Sequence, residues 1–213
     1  TLRAATLTSG AVLLALATRV TGRSLHIPRR DWGTLVVAAL LNVSAFNLFS
    51  VFAQMSMSAS RAAILTYTMP LWSVLFAWIV LHEPIDRLRG IALALGAAGI
   101  ALLAVPFWDV VRQGGVPVGL VYVMASAISW AAGTVVIKAA KPEGAAMAVT
   151  TWQFVIGAVA VVIGMALFER PHLELDRPII LGAFIYTTIL AQAVAYSLWF
   201  GLMERVPAST AAL

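Results

Sequence analysis

The chain of 213 residues is 62% hydrophobic and 11% charged, with a mean hydropathy of +0.95, where a soluble domain carries about 45–50% apolar and about 25% charged residues. Charges this sparse cannot clothe a water-soluble core of that size, so lipid must cover the apolar surface. The net charge of +5 and pI near 10.2 do not indicate nucleic acid, because Lys and Arg stand singly or in small groups between apolar runs instead of on one face with interleaved aromatics.

There is no Cys, which excludes disulfide frameworks, thiolate metal sites and Cys nucleophiles, and no cofactor or metal motif is present. The chain opens at Thr1 without Met and stops at Leu213, where an apolar helix is beginning; a longer parent protein is expected.

A membrane-crossing helix needs about 20 mostly apolar residues. Such runs predict helices at about 1–20, 33–57, 62–81, 88–105, 117–138, 145–168 and 178–201, with an eighth opening near Pro207, where proline suits a first turn. The runs are apolar on every face, unlike the alternating ten-residue segments of a membrane barrel. The expected fold class is an all-α polytopic membrane protein with roughly seven and a half spans present.

Within helix 33–57, Asn47, Ser50 and Gln54 form one polar stripe. Amides facing lipid are costly, so the stripe should face protein or water, either as interhelical glue or as part of a solute path. In helix 62–81, Ala62, Thr66, Pro70, Ser73 and Ala77 share a face. Small residues there suit close packing, while Pro70 cannot donate to the Thr66 carbonyl and should kink the helix near mid-membrane. Tyr67 and Trp72 lie close enough to line a cavity.

Helix 88–105 is followed by an expected extracytoplasmic linker at 106–116. Helix 117–138 carries Ser126, Trp130 and Gly133 on one face, with Thr134 adjacent. Early in helix 145–168, Trp152 and Gln153 suit an interface anchor, and Gly157 and Gly164 suit packing. Helix 178–201 places Thr188, Gln192, Tyr196 and Trp199 on one face by α-helical spacing. An amide with two aromatic rings can stack on a flat group while fixing a polar end, although Trp199 also suits an interface anchor.

All nine acidic residues and all three His fall in predicted loops. Lys and Arg divide nine to five between alternate sides, with Arg19, Arg23, Arg29, Arg30, Arg87, Arg89, Lys138, Lys141 and Arg205 on the richer side. The positive-inside rule makes that side cytoplasmic, so the loop at 23–31 faces the cytoplasm.

One repeat is visible. Ser58-Ala59-Ser60-Arg61-Ala62-Ala63-Ile64 and Pro207-Ala208-Ser209-Thr210-Ala211-Ala212-Leu213 share four of seven positions. They open the third and eighth predicted helices, five spans apart, and an odd offset puts them in opposite orientations. That is the layout of an inverted-topology repeat, which in transporters places the substrate near the midplane. A five-helix unit makes about ten helices in the intact protein.

The stretch from Ser58 through Met69-Pro70-Leu71-Trp72 to His82-Glu83-Pro84, then Arg89-Gly90 and Gly96-Ala97-Ala98-Gly99-Ile100, resembles the EamA module of the drug/metabolite transporter superfamily. The resemblance is strongest over about 45–105. It implies an inverted five-plus-five helix fold, with residues 1–105 as a first repeat lacking its first helix and 117–213 as a second repeat truncated in its fourth. It further implies a multi-pass protein of the bacterial inner membrane, and among relatives an aromatic amino acid exporter.

The function expected is an exporter or facilitator for small neutral or zwitterionic metabolites, amino acids first, working by alternating access. Its partners would be the solute and membrane lipid, and it would act as a monomer or weak dimer. Proton-driven carriers usually place Asp, Glu or His in the membrane, and the predicted spans hold no acid or His. The substrate-lining candidates are Asn47, Ser50, Thr66, Tyr67, Pro70, Trp72, Trp130, Thr188, Gln192 and Tyr196. A seven-helix receptor is the alternative reading; an intramembrane enzyme is weaker, because no span carries an acid, a His or a helical HExxH motif.

Overall fold

The computed structural model describes residues 1–168 and 177–195, with 198, 199 and 202; the side chains at 103, 104, 106, 107, 109 and 192 are outside that description. The described residues are helical and contain no strand. They comprise α1 (Leu2–Val20), α2 (Trp32–Ala39), α3 (Phe46–Ser56), α4 (Ala59–Thr66), α5 (Met69–Leu81), α6 (Arg87–Arg112), α7 (Val118–Ala140), α8 (Ala146–Phe168) and α9 (Pro178–Tyr186). Two π-helical segments, Leu40–Ala45 and Thr187–Val194, continue α2 into α3 and prolong α9. Four stretches among the described residues combine membrane length with high apolarity: Arg29–Ser56, Ala59–Leu81, Val118–Ala140 and Ala146–Phe168. Helices α1 and α6, of 19 and 26 residues, are also long enough to cross.

The expected boundaries move in three places. Helix α6 runs through Pro106 to Arg112, so the segment expected as linker is mostly helical. The kink expected near Pro70 falls at Tyr67 and Thr68, where the winding of the 59–81 span is interrupted, and Pro70 stands in the first turn of α5, where its missing N–H costs nothing. The helix at 33–57 is also not uniformly α-helical. The opening at Pro207 and its copy of the repeat lie outside the described residues.

Helix α7 is the central post, packed by α2, α3, α4 and α5. Its register against the 40–56 stretch is antiparallel throughout. Gly133 meets Asn42, Trp130 meets Phe46, Ser126 meets Ser50, and Gly119 meets Ser56 and Met57. Against the 59–81 span it runs parallel, since Ala62 shares a cluster with Val123 and Ala77 with Val135. Helix α8 runs parallel to the π segment, by Asn42–Gln153 and Ser44–Gly157, and packs along α1, where Thr18 meets Thr151.

The contacts also pair off across the molecule: α8 packs on the first π segment and α1 packs on the second. Apolar solvent removes the usual driving force for helix association, so close approach of small residues must supply it. The buried faces accordingly hold Ala38, Ala39, Ala53, Ala62, Ala77, Ala127, Ala131, Ala148 and Ala158. Several buried hydroxyls bond back one turn, as Thr18 does to the Leu14 carbonyl at 2.7 Å and Thr150 to Ala146 at 2.8 Å, and these stay satisfied without water.

The loops expected to be cytoplasmic gather at one end. Trp152 Nε1 donates to the Leu25 carbonyl at 2.8 Å, Trp32 packs edge-on against Trp152 at 4.9 Å, Asp31 accepts from the Glu143 backbone N–H at 2.9 Å, and Arg30 pairs with Glu143. Trp152 is thus a loop fastener.

Candidate functional site

The polar residues of the 33–57 span fall into two roles. The π segment widens one turn, and Asn47 Nδ2 donates to the Val43 carbonyl within it at 2.7 Å. Asn42 Nδ2 bonds Gln153 Oε1 at 3.1 Å, and Ser44 donates to the Gly157 carbonyl at 3.2 Å. These bonds hold the wide turn against α8. Ser50 meets the Ser126 hydroxyl at 2.7 Å, and Ser126 also reaches the Phe46 carbonyl at 3.1 Å. Asn47 and Ser50 are therefore buried with helix-fastening partners, while Gln54, at the far end of the stripe, is exposed.

The 59–81 span presents its small-residue face to α7. Ala62, Ser73 and Ala77 are buried, Thr66 and Pro70 are half-buried, and the Thr66 hydroxyl bonds the Ala62 carbonyl at 2.7 Å. Tyr67, expected to line a cavity, is 78% exposed, because the break in the span turns it outward.

Aromatic rings collect beside this face. Phe46 and Trp130 lie with centroids 5.0 Å apart, Trp130 and Trp199 at 5.8 Å, and Trp72 and Phe76 at 6.4 Å. Trp199 and Phe76 both pack on the buried Ala77–Val135 contact between α5 and α7. Around this group, Trp72 Nε1, Trp199 Nε1, Ser73 Oγ and Thr134 Oγ1 are buried without a hydrogen-bond partner. Sequence reasoning placed Trp72 and Trp130 here. It did not single out Phe46 and Phe76, because a Phe in an apolar run carries no distinguishing signal.

The expected single face on 178–201 is crossed by a π-helical segment. That spacing assumed 3.6 residues per turn, and the π segment Thr187–Val194 winds more loosely. The segment that carries buried Thr188 packs along α1, whereas Trp199 packs on α5 and α7. Tyr196 and the side chain of Gln192 lie outside the described residues.

Glycines permit two of the closest approaches. A Cβ at Gly157 would stand 2.5 Å from Val43 Cβ, and one at Gly133 would stand 2.6 Å from Asn42 Cγ. Gly164, expected to serve packing as well, faces open space.

Residues 2–105 and 117–213 match the EamA-like transporter family. The chain belongs to that family. Curated relatives include the uncharacterized transporter YetK of Bacillus subtilis (strain 168), 23% identical over 192 residues, covering 88% of this chain and 57% of the relative. Protein PecM of Dickeya dadantii (strain 3937) is 27% identical over 182 residues, covering 84% and 60%. The chloroplastic WAT1-related protein At3g02690 of Arabidopsis thaliana is 27% identical over 201 residues, covering 90% and 47%.

The chain thus spans about three-fifths of the first two and under half of the third. A solved crystal structure superposes with a TM-score of 0.76 at 20% identity, over 99% of this chain and 72% of that one, which shows a shared fold. EamA membership and the apolar helices make this a multi-pass membrane protein. They favour a transporter over the receptor and intramembrane-enzyme alternatives.

Proposed function

We propose that the parent protein is a solute carrier of the bacterial inner membrane, an exporter or facilitator for small neutral or zwitterionic metabolites, with amino acids the first class to test. The observation that supports this most is the aromatic group at α3, α5, α7 and Trp199 with its unpartnered buried polar atoms. Membrane interiors satisfy their polar groups internally, and a solute site is where the satisfying partner is supplied from outside.

An inverted five-plus-five helix repeat suits the same reading. The two π segments fall five spans apart, and each rests on the helix whose counterpart carries the other. Exchange of α1 with α8 and of one π segment with the other leaves this contact pattern unchanged, as a two-fold axis in the membrane plane requires. Alternating access would then rock one repeat against the other around the aromatic group.

Proteoliposomes of the full-length protein, loaded with labelled amino acids, test the proposal. Saturable efflux down the solute's gradient, unaltered by an imposed pH gradient, is expected, because the acids of the described spans, Asp31 and Asp109, stand in the first turn of Arg29–Ser56 and the last turn of α6, away from the midplane. Uphill accumulation driven by the pH gradient would refute the facilitator mechanism.

A further inference from the structure

We infer that the seam between α5, α7 and Trp199 takes the hydrogen-bond-accepting end of an uncharged, flat, ring-bearing solute, such as an aromatic amide or a carbonyl-bearing heterocycle. The inference rests on the carrier reading and narrows its substrate class within the neutral arm.

Among the described residues, four of the eight buried polar atoms without a partner belong to residues of α5, α7 and Trp199 around this seam: Trp72 Nε1, Trp199 Nε1, Ser73 Oγ and Thr134 Oγ1. Folded proteins rarely leave such groups unpaired, and each one calls for a reason. Ser73 stands one turn before Ala77, and Thr134 adjoins Val135, the two residues on which Trp199 packs. Hydroxyls donate or accept, but an indole N–H only donates. Two indoles therefore require acceptors on whatever completes the seam, and an ammonium group offers none.

The surrounding rings set the rest of the shape. Phe46, Trp130 and Trp199 form a tilted chain at 5.0 and 5.8 Å, and Phe76 carries it toward Trp72 at 6.4 Å. Ring faces at such separations favour stacking of another flat, apolar group.

Charge is the third constraint. None of these residues is ionisable, and the nearest cation along α7 is half-buried Lys138, one turn past Thr134 and already engaged in an interaction of its own. A zwitterion would bring an ammonium group with no carboxylate to meet it, and unpaired charge in a low-dielectric seam is far costlier than an unpaired carbonyl. An uncharged acceptor satisfies the indoles without that penalty.

Calorimetry on the full-length protein in nanodiscs, with empty nanodiscs as blank, distinguishes the cases using benzamide, toluene, benzoate and phenylalanine. Benzamide should bind saturably and more tightly than the other three. Trp72→Phe and Trp199→Phe keep the ring and remove the donor, and each should weaken benzamide about tenfold while shifting toluene less than about twofold. Trp152→Phe, at the loop end, should leave benzamide binding as it was.

Tighter binding of phenylalanine or benzoate than of benzamide would overturn the inference, and so would donor-less variants that bind benzamide normally. Lys138→Ala exposes the anion case directly: loss of benzoate binding with that change, where benzoate was preferred, assigns the seam to carboxylates instead. Flux of phenylalanine in proteoliposomes without benzamide binding would retain the carrier and discard this inference. Benzamide binding as expected, without flux of any panel member, would discard the carrier and keep the donor-lined seam.

Discussion

At the residue scale, the decisive positions are those where two backbones come close enough that a methyl group matters. Gly157 abuts Val43 and Gly133 abuts Asn42, and in each case the neighbour is itself fixed, Val43 by burial and Asn42 by its bond to Gln153. Gly157→Val and Gly133→Val should therefore destabilise the fold by about 1–3 kcal/mol, the usual cost of overpacking. Gly164→Ala, with nothing nearby, should stay within about 0.5 kcal/mol. Thermal unfolding of the purified protein in detergent measures all three, and equal effects at Gly157 and Gly164 would contradict the packing described.

Asn47 makes a second case. Its amide donates to the Val43 carbonyl in the wide turn, which also accepts from the Phe46 N–H, so Asn47→Leu should cost about 0.5–1.5 kcal/mol by removing one of that carbonyl's two hydrogen bonds. Ser126→Ala, with its hydroxyl shared between Ser50 and Phe46, should cost nearer the ~0.6 kcal/mol typical of interhelical bonds in membranes.

At the element scale, the sequence exposes helix positions well and helix winding poorly. Apolar runs bounded by Arg, Pro and Gly located most spans to within a few residues, because length and hydropathy alone decide whether a segment crosses a bilayer. Nothing in Leu40–Ala45 or Thr187–Val194 announces a π turn, since the hydrogen-bond register depends on what packs outside the helix. The cost was specific: Thr188 and Trp199 share a face only if the winding is α-helical throughout. Pro70 was likewise legible as a disruption, but not as the first turn of a restarted helix, which depends on the break at Tyr67 and Thr68.

Helix ends carry a further test. His82 and Lys141 close α5 and α7 with φ of 54° and 46°, a conformation that side chains bearing a Cβ adopt at a penalty. Glycine is the usual residue there. Lys141→Gly, at an exposed site, should raise stability by about 0.5–1 kcal/mol, read as a higher unfolding midpoint in detergent; an unchanged or lower midpoint would mean that the lysine side chain contributes a compensating contact.

At the scale of the whole molecule, alternation of direction links the contacts to topology. The 33–57 stretch runs antiparallel to α7 and parallel to α8, and α1 packs along α8 across the Thr18–Thr151 contact. Such relations follow if each span crosses fully and reverses the last. The loop clusters agree, with Arg30, Asp31, Trp152 and Glu143 at one end and Met57 against Gly119 at the other. Because the chain has no native Cys, single substitutions report sidedness directly. Ser24→Cys and Pro142→Cys should react with an impermeant maleimide from the cytoplasmic side only, as the nine-to-five distribution of basic residues requires. Ser60→Cys should react from outside. The inverted repeat then makes a stricter demand, that Ala208→Cys, one residue before the position of the second copy that matches Ser60, react from the cytoplasm. Labelling of residues 60 and 208 from the same face would leave the π-segment pairing as a coincidence of packing and remove the two-fold basis for alternating access.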